Sequence, residues 1–452
     1  MEYTQQYYMP LNKEVELFFN FENCLVETIF DCNIAEEKQE YGCLIITIQV
    51  ELKEYESTTD LAIFSRPKFL NMLGIISFLL DEPFDVFSPN IQTSPGKISS
   101  ITEKFINEKL DQTEHLREFI NKLNVLELYE KSLIFSILDR WRKAYYLENE
   151  SEDNFLYDDE STLAYFHVLE LLSDVYAKEL NKKANLIIEE FSQKYNSEIL
   201  SLHNTSLTNK NIQTTKLLKS LLNKDVSINS KILYLLKKFN LYNMDTVFLV
   251  KKLIESRNSV SHGRRVYYDK AIFPVKPFYP LINDELYTLE ILRIFISKII
   301  CCHLNIALFE DKWNEIKEIL IPDDFIIKKF VKETPIPIEE LTTQQKNIVF
   351  GGLNYFIFSK RIKIREVINI YKFYLETEDD NKEFLFHNSE AIVLLYENNI
   401  EKIEEILKIA IFNMDKHQCM RHFKFRDMLY YLDFHGFKAK KLEKLIISKE
   451  IR

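Results

Sequence analysis

LIFSILDRWRKAY, residues 133–145, is the segment that decides the fold class of this chain. Its apolar side chains recur at steps of three and four residues. They are Leu133, Ile134, Ile137, Leu138, Trp141 and Tyr145. This spacing places them on one face of an amphipathic helix. The segment therefore predicts a helix that packs against others, and it makes the fold mainly α.

The helical signal extends from residue 99 to residue 310. Leu163–Leu172 predicts a second helix, and Asp245 predicts the N-cap of a helix over Thr246–Ser261 that stops at Gly263. The composition agrees, because 7 Gly and 11 Pro in 452 residues are few for a loop-rich or all-β protein. Helical segments continue from residue 311 to the C-terminus.

The N-terminal residues differ from the rest. Cys43–Leu52 is β-branched and partly alternating, which predicts a strand. Pro67 predicts the first turn of a helix that runs to Leu80. Residues 88–96 are rich in Pro, Ser and Asn and predict a linker. We therefore predict a small α+β domain over 1–98 as a candidate sensor, a helical domain over 99–310, and a helical extension over 311–452.

The charge and the cysteines limit the function classes. A net charge of −11 argues against a general nucleic-acid coat, since such binding depends on Lys and Arg. It leaves room for a small basic site on an acidic body. The six Cys form no CxxC pair, so we expect no disulfide framework. We recognise no signal peptide or membrane span in this sequence, and we expect a cytoplasmic protein with no membrane partner.

The segment ESRNSVSHGRR, residues 255–265, combines side chains suited to phosphate chemistry at the predicted end of a helix. Asn258 and His262 are four residues apart and share a helix face. Arg257 lies off that face on an ideal helix. Arg257 and His262 can converge only if the helix end loosens, or if a second copy of the motif faces the first.

These residue types suit RNA cleavage without a metal ion. Arg257 would stabilise charge on phosphate oxygens, and His262 would move a proton near neutral pH. Asn258 would hold the imidazole tautomer, while Arg264 and Arg265 would bind substrate. The 2′-hydroxyl of RNA would attack the adjacent phosphorus, which predicts 2′,3′-cyclic phosphate and 5′-hydroxyl ends. No metal or other cofactor is predicted.

Other interpretations stay open. The Arg and His could simply favour the dipole of a helix C-terminus, as in a purely structural helical regulator. Requiring Asn after Arg and Gly after His lowers the chance of a random match by roughly a hundredfold. His417, Cys419 and His422 lie close together but lack a fourth ligand nearby, so they predict no zinc site. Glu170 either contacts the active site or ends a buried hydrogen-bond network.

A family resemblance rests on these residues. The motif Arg257-Asn258-x-x-x-His262-Gly263 resembles the R-x4-6-H signature of HEPN ribonucleases. LDRWRKA (138–144) and Leu163–Leu172, with its Glu170, are similar to two successive helices of the ApeA-like branch of antiphage HEPN proteins. The resemblance covers about residues 110–310. A strand-containing N-terminal domain is also similar to the arrangement in that branch.

The resemblance implies a HEPN helical bundle and an endoribonuclease that acts as a homodimer through that domain. It also implies RNA such as tRNA or mRNA as substrate, and a halt of translation in response to a phage-derived trigger. The rival hypothesis is a non-catalytic HEPN scaffold that binds RNA or a protein partner. Arg264 stands where toxins paired with a nucleotidyltransferase antitoxin often carry Tyr, so that pairing is not expected. Residues 311–452 have no counterpart in the resemblance, and their role is unassigned.

Overall fold

The computed structural model describes most of the chain as helices that follow a small N-terminal sheet. The described residues are 2–34, 37–54, 56–85, 89–98, 112–150, 157–222, 226–262, 288–320, 322, 324–377, 382–398, 400–422, 424–434 and 436–451. The described strands all lie before residue 96. The predicted mainly α fold with an α+β N-terminal part is confirmed at this level.

The chain divides into two compact units. The first comprises Met1–Glu152, Leu156–Glu179 and Leu289–Glu310. The second comprises Asp153–Phe155, Leu180–Thr288 and Asp311–Arg452. The units do not match the three predicted domains one to one, because the helices of residues 99–310 are divided between them. The predicted domain boundaries remain inferences from sequence composition.

The first unit begins with an antiparallel sheet of five strands in the order β2-β3-β6-β1-β7. The strands are β1 (Glu2–Pro10), β2 (Phe18–Phe21), β3 (Cys24–Ile29), β4 (Asn33–Ile34), β5 (Glu37–Lys38), β6 (Cys43–Glu51) and β7 (Asn90–Pro95). On the central strand, Ile46 lies opposite Tyr7 on one side and Val26 on the other. Residues 43–48 are all buried, as expected of a strand covered on both faces. The predicted strand at 43–52 is confirmed over Cys43–Glu51. The linker predicted over 88–96 is wrong, because Asn90–Pro95 pairs with β1 as a strand of the sheet.

A disulfide joins Cys32 to Cys43 across the small β4–β5 hairpin, with the two Cα atoms 6.0 Å apart. Our expectation that the cysteines form no disulfide is wrong for this pair. The two residues are separated by 11 positions. The hairpin reverses the chain between them, so their proximity follows from the fold and from no recognisable spacing.

The helix after the sheet, α1 (Leu61–Leu80), begins earlier than predicted. Pro67 lies inside it, and the prediction that Pro67 opens the helix is wrong. Leu61 and Ser65 are buried, so packing of the preceding turn outweighs the cost of an internal proline. Pro67 has no backbone N–H to donate to the Ile63 carbonyl four residues earlier. Ile63 is 67% exposed, so water can reach this part of the helix.

Among the described helices, α1 alone is long and apolar enough to cross a membrane. Of its most apolar window, 56% is buried inside the protein. The helix packs against β6 and against the later helix that contains Trp141. Such burial is typical of a core helix in a soluble protein.

The remaining helices follow in both units. They are α2 (Gln112–Val125), α3 (Leu128–Glu150), α4 (Asp158–Lys194), α5 (Asn204–Leu222), α6 (Ile228–Lys238), α7 (Met244–Ser261), α8 (Leu289–Leu304), α9 (Glu310–Ile319), α10 (Asp324–Phe330), α11 (Thr343–Asn347), α12 (Leu353–Phe358), α13 (Ile364–Thr377), α14 (Lys382–His387), α15 (Ser389–Glu397), α16 (Glu404–His417), α17 (Phe425–Phe434) and α18 (Lys440–Ile447). A π-helical turn, Tyr195–Ile199, continues α4, and another, Ile348–Gly352, joins α11 to α12.

Trp141 on α3 is at the centre of the helical part of the first unit. Its side chain is fully buried, and its indole Nε1 donates a hydrogen bond to Ser297 Oγ on α8 at 2.9 Å. Its ring contacts the rings of Phe78 and Phe309 at centroid distances of 5.1 and 6.4 Å. The helix face predicted from the apolar spacing of residues 133–145 is therefore the face that α3 buries.

A buried charge cluster surrounds Arg293 of α8. The guanidinium pairs with Asp81 and lies 3.3 Å from Glu148 Oε2, and Tyr165 donates its hydroxyl to the same Glu148 oxygen at 2.6 Å. The guanidinium carbon also lies 4.1 Å from the centroid of the Tyr145 ring. Burial raises the pKa of Glu148 to about 7, although Arg293 and Tyr165 oppose that shift. The Arg293 guanidinium thus forms ion pairs with two carboxylates that are largely, but not fully, buried.

The core of the second unit contains a polar network within its helices. Tyr371 donates its hydroxyl to Asn388 Oδ1 at 2.6 Å. Glu390, which is buried, accepts a hydrogen bond from Asn354 at 3.0 Å and lies 3.1 Å from His422 Nε2. Buried polar groups need such partners to offset their lost hydration. The network therefore fixes the relative register of α12, α13 and α15.

Candidate functional site

The helix that carries the predicted catalytic residues, α7, is fixed at its start by a capping box. Asn243 Oδ1 accepts a hydrogen bond from the Thr246 backbone N–H at 2.8 Å, and Thr246 Oγ1 accepts one from the Asn243 N–H at 3.0 Å. The prediction of Asp245 as the N-cap is wrong. Asp245 lies in the first turn and accepts a hydrogen bond from Gln344 instead, at 3.2 Å. The reciprocal pair leaves no cap role for it.

The predicted end of α7 at Ser261 is confirmed. His262 is the C-cap, and its backbone N–H donates to the Asn258 carbonyl at 3.1 Å. Helical hydrogen bonding therefore continues to His262. Gly263, the predicted stop, lies outside the described residues.

The apolar face of α7 anchors the helix in the second unit. Phe248, Leu249, Leu253 and Val260 are buried, and the Phe248 ring stacks near that of Phe356 at a centroid distance of 6.2 Å. This packing holds the backbone up to its last turn. The polar side chains at the end of the helix therefore emerge from a firmly packed element, as precise catalytic geometry requires.

The structure brings Arg257 and Asn258 into direct contact. Arg257 Nη1 donates a hydrogen bond to Asn258 Oδ1 at 3.2 Å, and both residues are half-buried. His262 lies one turn further along and is exposed. The convergence of Arg257 and His262 on one phosphate remains a prediction. The contact directs the Asn258 side-chain oxygen toward Arg257, and the predicted contact of Asn258 with the imidazole stays a prediction.

An ion-pair network adjoins the motif. Glu255 Oε2 lies 2.6 Å from Lys252 Nζ and 3.7 Å from Arg361 Nη2. Burial lowers the pKa of Lys252, and the bond to Glu255 opposes that shift. Sequence analysis missed Arg361, because it follows α12, about a hundred residues downstream, and no local pattern connects it to α7. The two cations offset the negative charge two residues before Arg257.

The roles of the other predicted site residues, Arg264, Arg265 and Glu170, stay untested predictions. Arg264 and Arg265 lie outside the described residues, so their role as substrate-binding residues stays a prediction. Glu170 is half-buried on α4, in the first unit, whereas α7 belongs to the second. Its supporting role likewise stays a prediction.

The cysteine and histidines near the C-terminus have protein partners. His422 pairs with Glu390, and the Cys419 thiol lies 3.8 Å from the Asn413 carbonyl oxygen. Within the described ranges, no group of three or more His, Cys, Asp or Glu side chains is arranged to hold a metal ion. Sequence analysis missed the Glu390–His422 pair, since 32 residues separate its members.

Comparisons with protein-family models, with curated proteins and with solved structures found no match for this chain. The resemblance to HEPN ribonucleases therefore rests on the motif at Arg257–Gly263 and on the upstream helices in the sequence.

Proposed function

We propose that this chain is a metal-independent endoribonuclease whose chemistry depends on Arg257 and His262. The observation that carries the proposal is the end of α7. There an Arg–Asn pair in the last turns of a well-anchored helix is followed by an exposed imidazole at its C-cap. A permanent cation and a group that titrates near neutral pH are what phosphodiester cleavage needs when no metal takes part.

The reaction needs two proton transfers and one charge stabilisation. The ribose 2′-oxygen loses its proton and bonds to the adjacent phosphorus, while the bond to the 5′-oxygen breaks and that oxygen takes a proton. Arg257 would stabilise the charge on the non-bridging oxygens, and Asn258 would hold its guanidinium. His262 would carry one of the two protons. A second copy of the motif would supply an imidazole for the other.

An exposed apolar surface supports self-association. The end of α4, its π-helical turn and α5 carry ten large apolar side chains that are between 42% and 68% exposed. They are Leu186, Ile187, Phe191, Tyr195, Ile199, Leu200, Ile212, Leu217, Leu221 and Leu222. We call this set the α4–α5 surface. Exposed apolar patches of this kind mark interaction sites. The α4–α5 surface lies within residues 99–310, the domain predicted to form the homodimer. We propose that a second copy of the chain binds to it.

We expect the double variant Leu217→Glu/Leu221→Glu to weaken dimerisation by at least a hundredfold, since each burial of a leucine contributes about 1.5–3 kcal/mol. Sedimentation velocity over a range of concentrations measures the effect, and RNA cleavage should fall with the dimer. Gln213→Glu adds charge to an exposed position of the same helix and serves as the matched control. A double variant that remains as dimeric as the parent protein excludes this surface as the interface.

The cellular setting completes the proposal. The family resemblance points to RNA cleavage in the cytoplasm that halts translation during phage infection, under a trigger derived from the phage. In that reducing compartment the Cys32–Cys43 disulfide would be reduced to two thiols, because cytosolic disulfides are rare. Residues 1–98 are the proposed sensor of the trigger.

The experiment that tests the function is incubation of the full chain with total tRNA and with messenger RNA, with and without EDTA, followed by mapping of the ends. We expect equal cleavage in EDTA, with 2′,3′-cyclic phosphate and 5′-hydroxyl ends. An RNA with a single 2′-deoxynucleotide 5′ to the cleaved bond should resist cleavage there. Cleavage that EDTA abolishes would contradict the mechanism. Binding of RNA without cleavage would favour the non-catalytic scaffold.

A further inference from the structure

A cavity of about 680 Å³ opens in the second unit, where the chain passes from α12 into α13. Its floor is formed mainly by aliphatic side chains, among them Ile364, Ile368 and Ile400. These three are only partly buried, so they present apolar surface to whatever enters. Concave sites of roughly 300–1,000 Å³ with apolar walls are typical of small-molecule binding.

Three cations stand at the rim of this cavity. They belong to Lys360, Lys363 and Arg365, which are all exposed. Lys360 Nζ lies 4.8 Å from the centroid of the Phe437 ring. In the part of the chain that the structure describes, Lys363 and Arg365 form no ion pair. The nearby Glu366 carboxylate accepts a hydrogen bond from the Lys363 backbone N–H at 2.9 Å and so caps α13.

This clustering contrasts with the rest of the protein. The chain has a net charge of −11, and Lys372, on the same helix but outside the cavity, pairs with Glu376 at 3.7 Å. Cations that surround an apolar concavity without acidic partners favour an anion there. Among the described residues that line the cavity, Asn398 is the only uncharged polar one. Few side chains are thus available to form specific hydrogen bonds with a nucleobase, which disfavours a nucleotide as the ligand.

We infer that this cavity binds a small amphiphilic anion, a phosphate or carboxylate head group on an aliphatic body. The head group would lie between Lys363 and Arg365, and the body would lie on Ile364, Ile368 and Ile400. The inference does not depend on the proposed ribonuclease activity, because it is tested by binding alone.

Isothermal titration of the full chain with octyl phosphate, below the concentration at which it forms micelles, tests the inference. We expect saturable one-to-one binding. Octanoate should also bind, and its affinity relative to octyl phosphate distinguishes a carboxylate from a phosphate ligand. Inorganic phosphate lacks the aliphatic chain, and 1-octanol lacks the anionic head group. Each should bind at least tenfold more weakly than octyl phosphate.

Substitutions in and near the cavity test whether octyl phosphate binds there. Lys363→Ala/Arg365→Ala should weaken octyl phosphate at least tenfold, and Ile368→Ser should weaken it while leaving the salt dependence unchanged. Lys372→Ala, on the same helix but outside the cavity, should bind as the parent does. Thermal unfolding of each variant checks folding. Three outcomes would overturn the inference: no saturable binding, inorganic phosphate as tight as octyl phosphate, or full affinity in the Lys363/Arg365 variant.

Discussion

Arg257→Ala is expected to lower the rate of RNA cleavage by roughly a hundredfold to a thousandfold, which is the cost of losing one charge-stabilising donor at a phosphate. His262→Ala should lower it by about 10²–10⁴-fold, since it removes a proton carrier. Both residues lie outside the buried core, so neither change should alter the melting temperature by more than a few degrees. Single-turnover cleavage of one end-labelled RNA measures both effects.

Two matched controls separate chemistry from structure. Lys251→Ala removes an exposed cation from the same helix, and His203→Ala removes an exposed imidazole elsewhere in the second unit. Both should cleave RNA at close to the parent rate. If Arg257→Ala and His262→Ala also retain the parent rate while the protein cuts RNA, the catalytic assignment is wrong. If they lose activity only together with folded structure, the helix-end interpretation is favoured.

The second large effect concerns stability. Arg293→Met is expected to destabilise the protein by about 3–5 kcal/mol, because it leaves Asp81 and Glu148 buried without their shared cation. The side chains of these two acids are only 11% and 16% exposed. Arg140→Ala, at an exposed position of α3, is the control and should be close to neutral. Denaturant unfolding followed by circular dichroism measures both.

The pH dependence of this loss gives a further check. Without Arg293 the folded-state pKa of Glu148 rises further above about 7, so the extra loss of the variant is full above that higher pKa and disappears below about 7. Glu148 starts from a pKa that burial has already raised to about 7. The loss should therefore shrink as the pH is lowered from about 8 to about 5. A loss that stays constant over this range would show that packing of the arginine, and not its charge, matters.

Sequence analysis succeeded where short-range spacing decides the structure. The apolar side chains at 134, 137, 138 and 141 recur with a helical period, and that face of α3 is buried. The strand that the structure places at Cys43–Glu51 follows from β-branched residues, and the end of α7 at Ser261 was predicted from Gly263 as a helix stop. Each of these signals lies within about two helical turns or one strand.

Most of the errors share a physical cause. Pro67 is an allowed first-turn residue by local rules, but burial of Leu61 and Ser65 extends α1 past it. Asp245 is a good cap by type, yet Asn243 and Thr246 complete a reciprocal box two residues earlier. The proximity of Cys32 to Cys43 and of Arg361 to Glu255 depends on chain reversals. Tertiary packing, which spacing does not encode, decided three of these cases, whereas the Asn243–Thr246 box is a local pattern that the sequence analysis overlooked.

None of the 19 residues of α5 is buried. A helix of this length with so little packed surface is marginal in water. Its amide hydrogens should therefore exchange much faster than those of α8, which is buried along most of its length. In the proposed dimer a second copy would cover this helix, so the cellular concentration of the chain would set the fraction of copies in which α5 is ordered.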